Sequence, residues 1–459
     1  MKIRFFGAAK EVTGTCYMLE TGEHKILIDC GIFQGNQDEF VRNHNPFPFN
    51  PSEIDAVFLS HSHMDHVGRV PMLVKRGYKG PIYATAPSCE LAKLLWTDMI
   101  HLMTDEAKRN GAEPLYDDRD VARAGDLLVP VEYRTEIDLC AGAIKAMMHD
   151  AGHILGSASV GFLLEDRRVL FSGDLGNDDV PILKPTDPLG PTDVLIIEST
   201  YGDRLHEDLA TRTTILRDLV KSTVEKKGVL IIPAFAIERT QEIMLTLHRL
   251  AEKKEIPRVP VFLDSPLAIE ATHVYEEYPQ YYNAEARKEF LMGHELFALP
   301  GFVATKSAEM SKSINDVRPP KVIISGSGMM TGGRIKHHLK HYLSQPSTTL
   351  LIVGFQGRGT LGRRLYEGAK VVNIFKEQVH VNAHVTAVGG WSAHADQKKL
   401  LFWVSEAKVK PEIILVSHGE DTPAETLARK FNRDLDIPAY VPEPGQVYDL
   451  HVKGKMRVG

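Results

Sequence analysis

The chain has 459 residues, 43% hydrophobic and 25% charged, with a formal net charge of -6. That length exceeds one ordinary core and suits two domains, and no apolar run approaches the roughly 20 residues of a membrane helix, so a helical membrane protein is excluded and no membrane partner is expected. The acidic balance excludes a chain that holds nucleic acid through general basic excess; any nucleic acid has to meet a local patch.

In chain order, Met1 to Ala9 lacks the basic segment, long apolar stretch and small-residue cleavage site of a secretory signal and is predicted to open the fold as a strand, which places the protein in the cytoplasm. Cys16, Cys30, Cys89 and Cys140 form no C-x-x-C pair, so they read as small buried hydrophobes rather than a disulfide framework or zinc knuckle. Short apolar runs ending in polar residues predict buried strands at Lys25 to Cys30, Ala56 to Ser60, Val169 to Ser172, Val194 to Glu198, Gly228 to Pro233, Val261 to Asp264, Lys321 to Ser325, Thr349 to Gly354 and Glu412 to Ser417. Helical spacing of apolar residues predicts helices over Ser88 to Lys108, Thr211 to Lys226 and Arg239 to Lys254. The fold class is α/β, with no fixed-period repeat and no low-complexity linker.

The segment His61-Ser62-His63-Met64-Asp65-His66 directly follows a predicted buried strand. Extended backbone sends His61 and His63 to the same side, and Asp65 and His66 on the following turn can face a second ion. One loop cannot close two coordination shells, so further ligands are expected at other strand ends. Such positions are His153 in Gly-His-Ile-Leu-Gly-Ser, Asp174 in Phe-Ser-Gly-Asp-Leu-Gly, and His418 in Val-Ser-His-Gly-Glu.

Asp29, His61, His63, Asp65, His66, His153 and Asp174, in that order, resemble the pattern of the metallo-β-lactamase superfamily, an αββα sandwich. By that resemblance His61, His63 and His153 would hold one zinc ion and Asp65, His66 and His418 a second, with Asp174 bridging two Zn(2+) per chain. Asp29 would orient ligands from the second shell of contacts; an ordinary turn-forming Asp before Gly31 is the alternative. The β-lactamases of the superfamily typically carry cysteine where this chain has Asp174, which disfavours antibiotic hydrolysis. Two divalent ions, two carboxylates and a hydroxide leave the pocket net positive, which favours an anionic substrate.

Between Asp174 and His418 lie 243 residues, more than that core needs. The flanking segments Ile197-Glu198-Ser199-Thr200-Tyr201-Gly202, Trp391-Ser392-Ala393-His394-Ala395-Asp396 and Ser417-His418-Gly419-Glu420 resemble the signature motifs of the β-CASP group, nucleic-acid-processing members of the superfamily that include the pre-mRNA 3′-end cleavage subunit and its bacterial and archaeal relatives. Histidine at 418 matches the RNA-processing branch. The resemblance implies a metallo-β-lactamase domain in two parts, 1–205 and 381–459, around an inserted β-CASP domain, 206–380. At Glu238 many relatives carry glycine, so the local groove is expected to differ there.

Apart from family, Ser325 to Arg334 is glycine-rich, follows a strand and precedes a predicted helix, Ile335 to Leu343. Such a segment can offer backbone amides to phosphate, and Ser325, Ser327, Gly328, Thr331, Gly332, Gly333 and Arg334 are the expected RNA phosphate contacts. Lys336, His337, His338, Lys340, His341, Arg358, Arg363 and Arg364 extend a basic patch, a solvated helix face being the plain alternative for its later members.

These residues are expected to form a zinc-dependent ribonuclease that hydrolyses single-stranded RNA, as an endonuclease, a 5′ exonuclease or both, by a two-metal hydroxide mechanism. Asp65, Asp174, Glu198 and His394 would be its catalytic residues, with His394 as general acid held by Glu198. A non-catalytic RNA-binding subunit is disfavoured because no metal ligand is lost, and a small-molecule phosphodiester or ester hydrolase because of the insertion. A homodimer is among the assemblies left open.

Overall fold

The computed structural model describes residues 1–34, 38–178, 180–452 and 455–458. The chain forms two compact units: Met1–Asp178, Pro185–Leu205 and His394–Gly459 make the first, and Asp179–Lys184 with His206–Ala393 the second.

The first unit contains two sheets. One is eight-stranded, in the order Lys455–Val458, Val447–Val452, Lys2–Phe5, Tyr17–Thr21, His24–Ile28, Ala56–Phe58, Ile82–Ala84 and Leu128–Pro130. The other is seven-stranded, in the order Ala439–Tyr440, Ile413–Val416, Val194–Ile197, Arg167–Phe171, Ala158–Leu164, Ile144–Asp150 and Glu136–Leu139. Alternation along each strand decides which layer a side chain joins. Ile26, Ile28, Phe58, Val194, Ile196, Ile413 and Leu415 point between the sheets and join one core. Leu27, Val57 and Leu59 point outward to a core with Val70, Leu73 and Trp96, while Leu195, Ile197, Ile414 and Val416 pack outward with Leu400, Val404, Leu427 and Phe431. Helices therefore cover both outer faces, giving four αββα layers.

The covering helices have local causes. Ala86–Asn110 starts where the Thr85 hydroxyl accepts from Ser88 N, carries Pro87 in its first turn, and stops at Gly111, whose φ of 65° reverses the chain. Asp117 caps Asp118–Asp126 through a reciprocal pair with Asp120. None of the described helices is long and apolar enough to cross a membrane.

The second unit has a six-stranded, wholly parallel sheet ordered Phe302–Ala304, Val261–Asp264, Lys321–Ser325, Val229–Pro233, Thr348–Ile352 and His384–Ala387. Burial on both faces explains why its central strands read as continuous apolar runs. A hairpin, Val371–Ile374 with Glu377–His380, packs Val372, Ile374 and Val379 into the same core as Leu339 and Leu365.

Candidate metal centre

The centre is assembled at strand ends of both sheets of the first unit, where chain turns leave polar side chains converging. His24–Ile28 runs into Asp29, whose φ is 59°. Ala56–Phe58 runs through Ser60 and His61 to His63, and the single helical turn Met64–Val67 then carries Asp65 and His66. Backbone bonds staple that loop to the end of its neighbour: Thr15 N donates to Asp65 O at 2.8 Å, Cys30 N to His66 O at 2.7 Å and Ile32 N to Met64 O at 3.0 Å. The approach is so close that a Cβ on Gly31 would lie 1.6 Å from Asp65 O; only glycine fits there.

The remaining ligand-type residues are held similarly. The Ser157 hydroxyl accepts from His153 N at 2.9 Å and from Ile154 N at 3.2 Å, shaping the His153 loop. A Cβ on Gly176 would meet Gly152 O at 1.8 Å, so the Asp174 and His153 loops also touch through glycine. His418 has a φ of 47°, its N–H bound to Ala8 O at 2.7 Å and its carbonyl accepting from Ser199 N at 3.1 Å. His394 forms a bridge with Gly176, and Ala395 N donates to Leu175 O at 2.7 Å.

Two groups result. His61 Nε2 and His153 Nε2 lie 3.1 and 3.2 Å from His63 Nδ1, and 3.4 and 3.6 Å from Asp174 Oδ2. His66 Nε2 lies 3.1 Å from His418 Nε2 and 3.3 Å from Asp174 Oδ2, and Asp65 Oδ2 is 3.6 Å from His418 Nε2. Asp174 thus stands between both groups. All seven residues that the sequence singles out as metal ligands are brought together.

Asp29 orients this set: its Oδ2 is 2.7 Å from His66 Nδ1, and its two oxygens accept from Ser60 N and Ser60 Oγ, each at 2.7 Å. With Nδ1 so engaged, His66 directs its Nε2 to the centre, where burial is outweighed by Asp174 and Asp29, which raise the ring well above the ordinary imidazole range, so a metal ion held there would displace that proton. Glu198 accepts from Leu175 N at 2.7 Å and from Thr200 N at 3.3 Å, and His394 Nδ1 lies 3.2 Å from its Oε2. Ser60, Ser157 and Thr200 position ligands without having been singled out in the sequence; Thr200 Oγ1 sits 3.2 Å from His418 Nδ1. The available signal was adjacency, since Ser60 precedes His61 and Thr200 lies two residues past Glu198.

The electrostatics fit a cation. Burial, reinforced by the neighbouring His66, holds His61 well below the ordinary imidazole range, and burial brings His63 to about 4 despite Asp65 and Asp174. Neutral imidazoles offering lone pairs are what a metal ion binds. Burial opposes the charged form of Asp174, yet His418, His66 and His394 together hold its carboxyl well below the usual range. Both its oxygens are buried and accept no hydrogen bond from the described residues, while imidazole nitrogens crowd around them. An ionised, buried carboxylate without donors is costly unless a cation engages it, so these residues fit divalent metal.

The glycine-rich segment belongs to the second unit and differs in part from expectation. Ser325 is buried, its hydroxyl donating to Asp264 O at 2.9 Å. Arg334 is turned inward, with Nη1 at 2.8 Å from both Asp264 Oδ1 and Thr305 O. A buried carboxylate at the neighbouring strand end captures the guanidinium, so Ser325 and Arg334 are engaged in holding the loop's shape. The same carboxylate takes His338, which is buried with Nε2 2.7 Å from Asp264 Oδ2. The Phe235 ring covers Gly328. Ser327, Thr331, Gly332 and Gly333 reach the surface.

Comparison with known proteins follows the same lines. Family models match for the metallo-beta-lactamase superfamily over residues 9–205, the Beta-Casp domain over 240–365, and the Zn-dependent metallo-hydrolase RNA specificity domain over 378–442. Ribonuclease TTHA0252 of Thermus thermophilus is 40% identical over 422 residues, 92% of this chain and 94% of that protein. Transcription termination factor FttA of Methanosarcina mazei is 36% identical over 451 residues, 95% of this chain and 70% of that protein. An RNase J-like protein of Methanocaldococcus jannaschii is 32% identical over 453 residues, 98% of this chain and 99% of that protein. A crystal structure of an Enterococcus faecalis protein of unknown function aligns with a TM-score of 0.53 at 12% identity, covering 97% of this chain and 99% of that one, which shows a shared fold alone. On architecture, ligand set and these matches, the chain belongs to the β-CASP group of the metallo-β-lactamase superfamily, a family of metal-dependent hydrolases.

Proposed function

We propose that this protein is a ribonuclease that hydrolyses phosphodiester bonds of single-stranded RNA in the cytoplasm with two zinc ions. The observation that carries the reading is the doubled ligand set around Asp174. A tetrahedral zinc with ligands at roughly 2.0–2.1 Å sets them about 3.3 Å apart, and the 3.1 to 3.6 Å spacings among His61, His63, His153 and Asp174 match that edge. His66, His418, Asp65 and Asp174 would hold the second ion. Bound, the ions supply Lewis acidity toward water and toward the phosphate oxygens. RNA as substrate is supported by the relative named a ribonuclease, which matches along 92% of this chain.

The chain's own residues account for proton transfer. Burial disfavours the His394 imidazolium, but the charges of Glu198 and Asp174 and the hydrogen bond to Glu198 outweigh it and raise the ring to about 9. Glu198, tethered by backbone N–H groups, holds His394 through Nδ1, which leaves Nε2 to give a proton to the departing oxygen. Zinc-loaded protein should cleave labelled single-stranded RNA faster than DNA of the same sequence and faster than a small phosphodiester. Equal rates on all three would defeat the assignment of RNA, and gels of 5′-labelled against 3′-labelled RNA separate internal cleavage from trimming at the 5′ end.

A further inference from the structure

The hairpin of the second unit breaks a local rule. Ile374 pairs with Glu377, leaving Phe375 and Lys376 as a two-residue loop with φ of 52° and 66°. A turn with both central residues at positive φ strongly favours Asn-Gly, because a side chain there clashes with its own backbone. A bulky aromatic is among the least suited occupants, yet Phe375 stands at the tip, 44% exposed. It therefore meets two unfavourable terms, backbone strain and apolar exposure, that one substitution would remove.

What surrounds the ring suggests why it is there. From Ile335–Tyr342, the helix after the glycine-rich segment, Lys336 places its amine 5.1 Å from the ring centroid and His337 its ring 4.6 Å away at 38°. The same amine reaches Thr331 O at 3.5 Å, so it stands between the hairpin tip and the exposed part of the glycine-rich segment. The nearest carboxylate on the hairpin, Glu377, is neutralised by Lys340 at 2.7 Å. Lys376 is exposed at the tip itself. An aromatic face beside cations, with the exposed Thr331 and Gly333 of the neighbouring loop next to it, is the combination that grips single strands: bases stack on the ring and phosphates meet the amines.

We propose that Phe375, with His337 and Lys336, forms a stacking platform for an unpaired nucleobase of the RNA, outside the metal centre. Strain concentrated in a binding element, where a better-folding residue pair exists, is the expected signature of such a role. The inference rests on the ribonuclease reading and adds to it a determinant of how the RNA is held.

The test exploits the strain. Phe375→Asn suits the turn better and removes the ring without changing charge, so it should melt no lower than wild type. By stopped-flow anisotropy on the metal-loaded full chain, it should bind a labelled single-stranded RNA roughly tenfold more weakly, and an abasic oligomer of equal length and charge as well as wild type does. Phe375→Trp should keep the affinity, its indole emission quenched when RNA binds. Equal RNA affinity of wild type and Phe375→Asn overturns the platform and leaves the ribonuclease reading standing, as does a loss that the abasic oligomer shares. A wild-type chain that binds no RNA defeats the reading and the platform with it.

Discussion

Two buried carboxylates govern imidazoles in opposite ways. Glu198 faces His394 with its own oxygens already anchored by Leu175 N and Thr200 N, so its charge favours the imidazolium, and in the proposed mechanism it would hold that ring in place. His394→Ala should therefore retain metal content and RNA binding while turnover falls about a hundredfold to ten-thousandfold; turnover near the wild-type rate would remove His394 from the mechanism. Asp264 has a structural office. Burial opposes its ionisation, but hydrogen bonds from His338, Thr305, Ser311 and Arg334 override burial and hold its carboxyl far below the usual range. A depressed folded-state pKa stabilises at pH above the unfolded value of about 3.9, and that stability is lost as pH falls toward the folded value. Asp264→Asn should cost about 1 to 3 kcal/mol at neutral pH, because the buried charge that His338, Thr305, Ser311 and the half-buried Arg334 all engage is lost, and should flatten the acid limb of the stability profile, as urea titrations between neutral and acid pH would report.

Among the elements, uninterrupted apolar runs were legible and strands that mix polar residues into the run were not. Val261–Asp264 and Lys321–Ser325 are predicted to the residue because continuous apolar runs end sharply in polar residues. The antiparallel strands Glu136–Leu139 and Ile144–Asp150 escaped, since the first is mostly exposed, the second alternates buried with partly exposed side chains, and both mix charge into the run. The expected turn after His63 is a single helical turn, Met64–Val67, held by backbone bonds to a distant strand end that no local pattern announces. That contact yields a test. Gly31→Ala drives a methyl into Asp65 O and His66 N, so it should destabilise the protein by about 2 kcal/mol or more and lower zinc uptake in equilibrium dialysis; unaltered uptake would mean that the loop and the strand end move independently.

For the molecule as a whole, metal and stability should be linked. A ligand bound only by the native state stabilises it by about 4 kcal/mol at a thousandfold excess over its dissociation constant. Stripping with a chelator is accordingly expected to abolish cleavage and lower the melting temperature, with both restored by zinc; chelator-resistant activity would end the metal reading. The candidate ligand types and their order along the chain were available from sequence, because H-x-H-x-D-H after an apolar run is a local, chemically loaded pattern and the later candidates also sit at apolar strand ends. So was the αββα class with a long insertion, through resemblance of the motifs flanking Asp174 and His418. Tertiary structure alone decided which side chains face the centre and which are drawn elsewhere: Ser60, Ser157 and Thr200 brace the ligands, and Asp264 withdraws Arg334 and His338 from the glycine-rich surface. The physical reason is that Thr200 lies 218 residues from His418, and Asp264 lies 70 and 74 residues from Arg334 and His338, while hydrogen bonding between buried groups depends on which strand ends the sheets bring side by side.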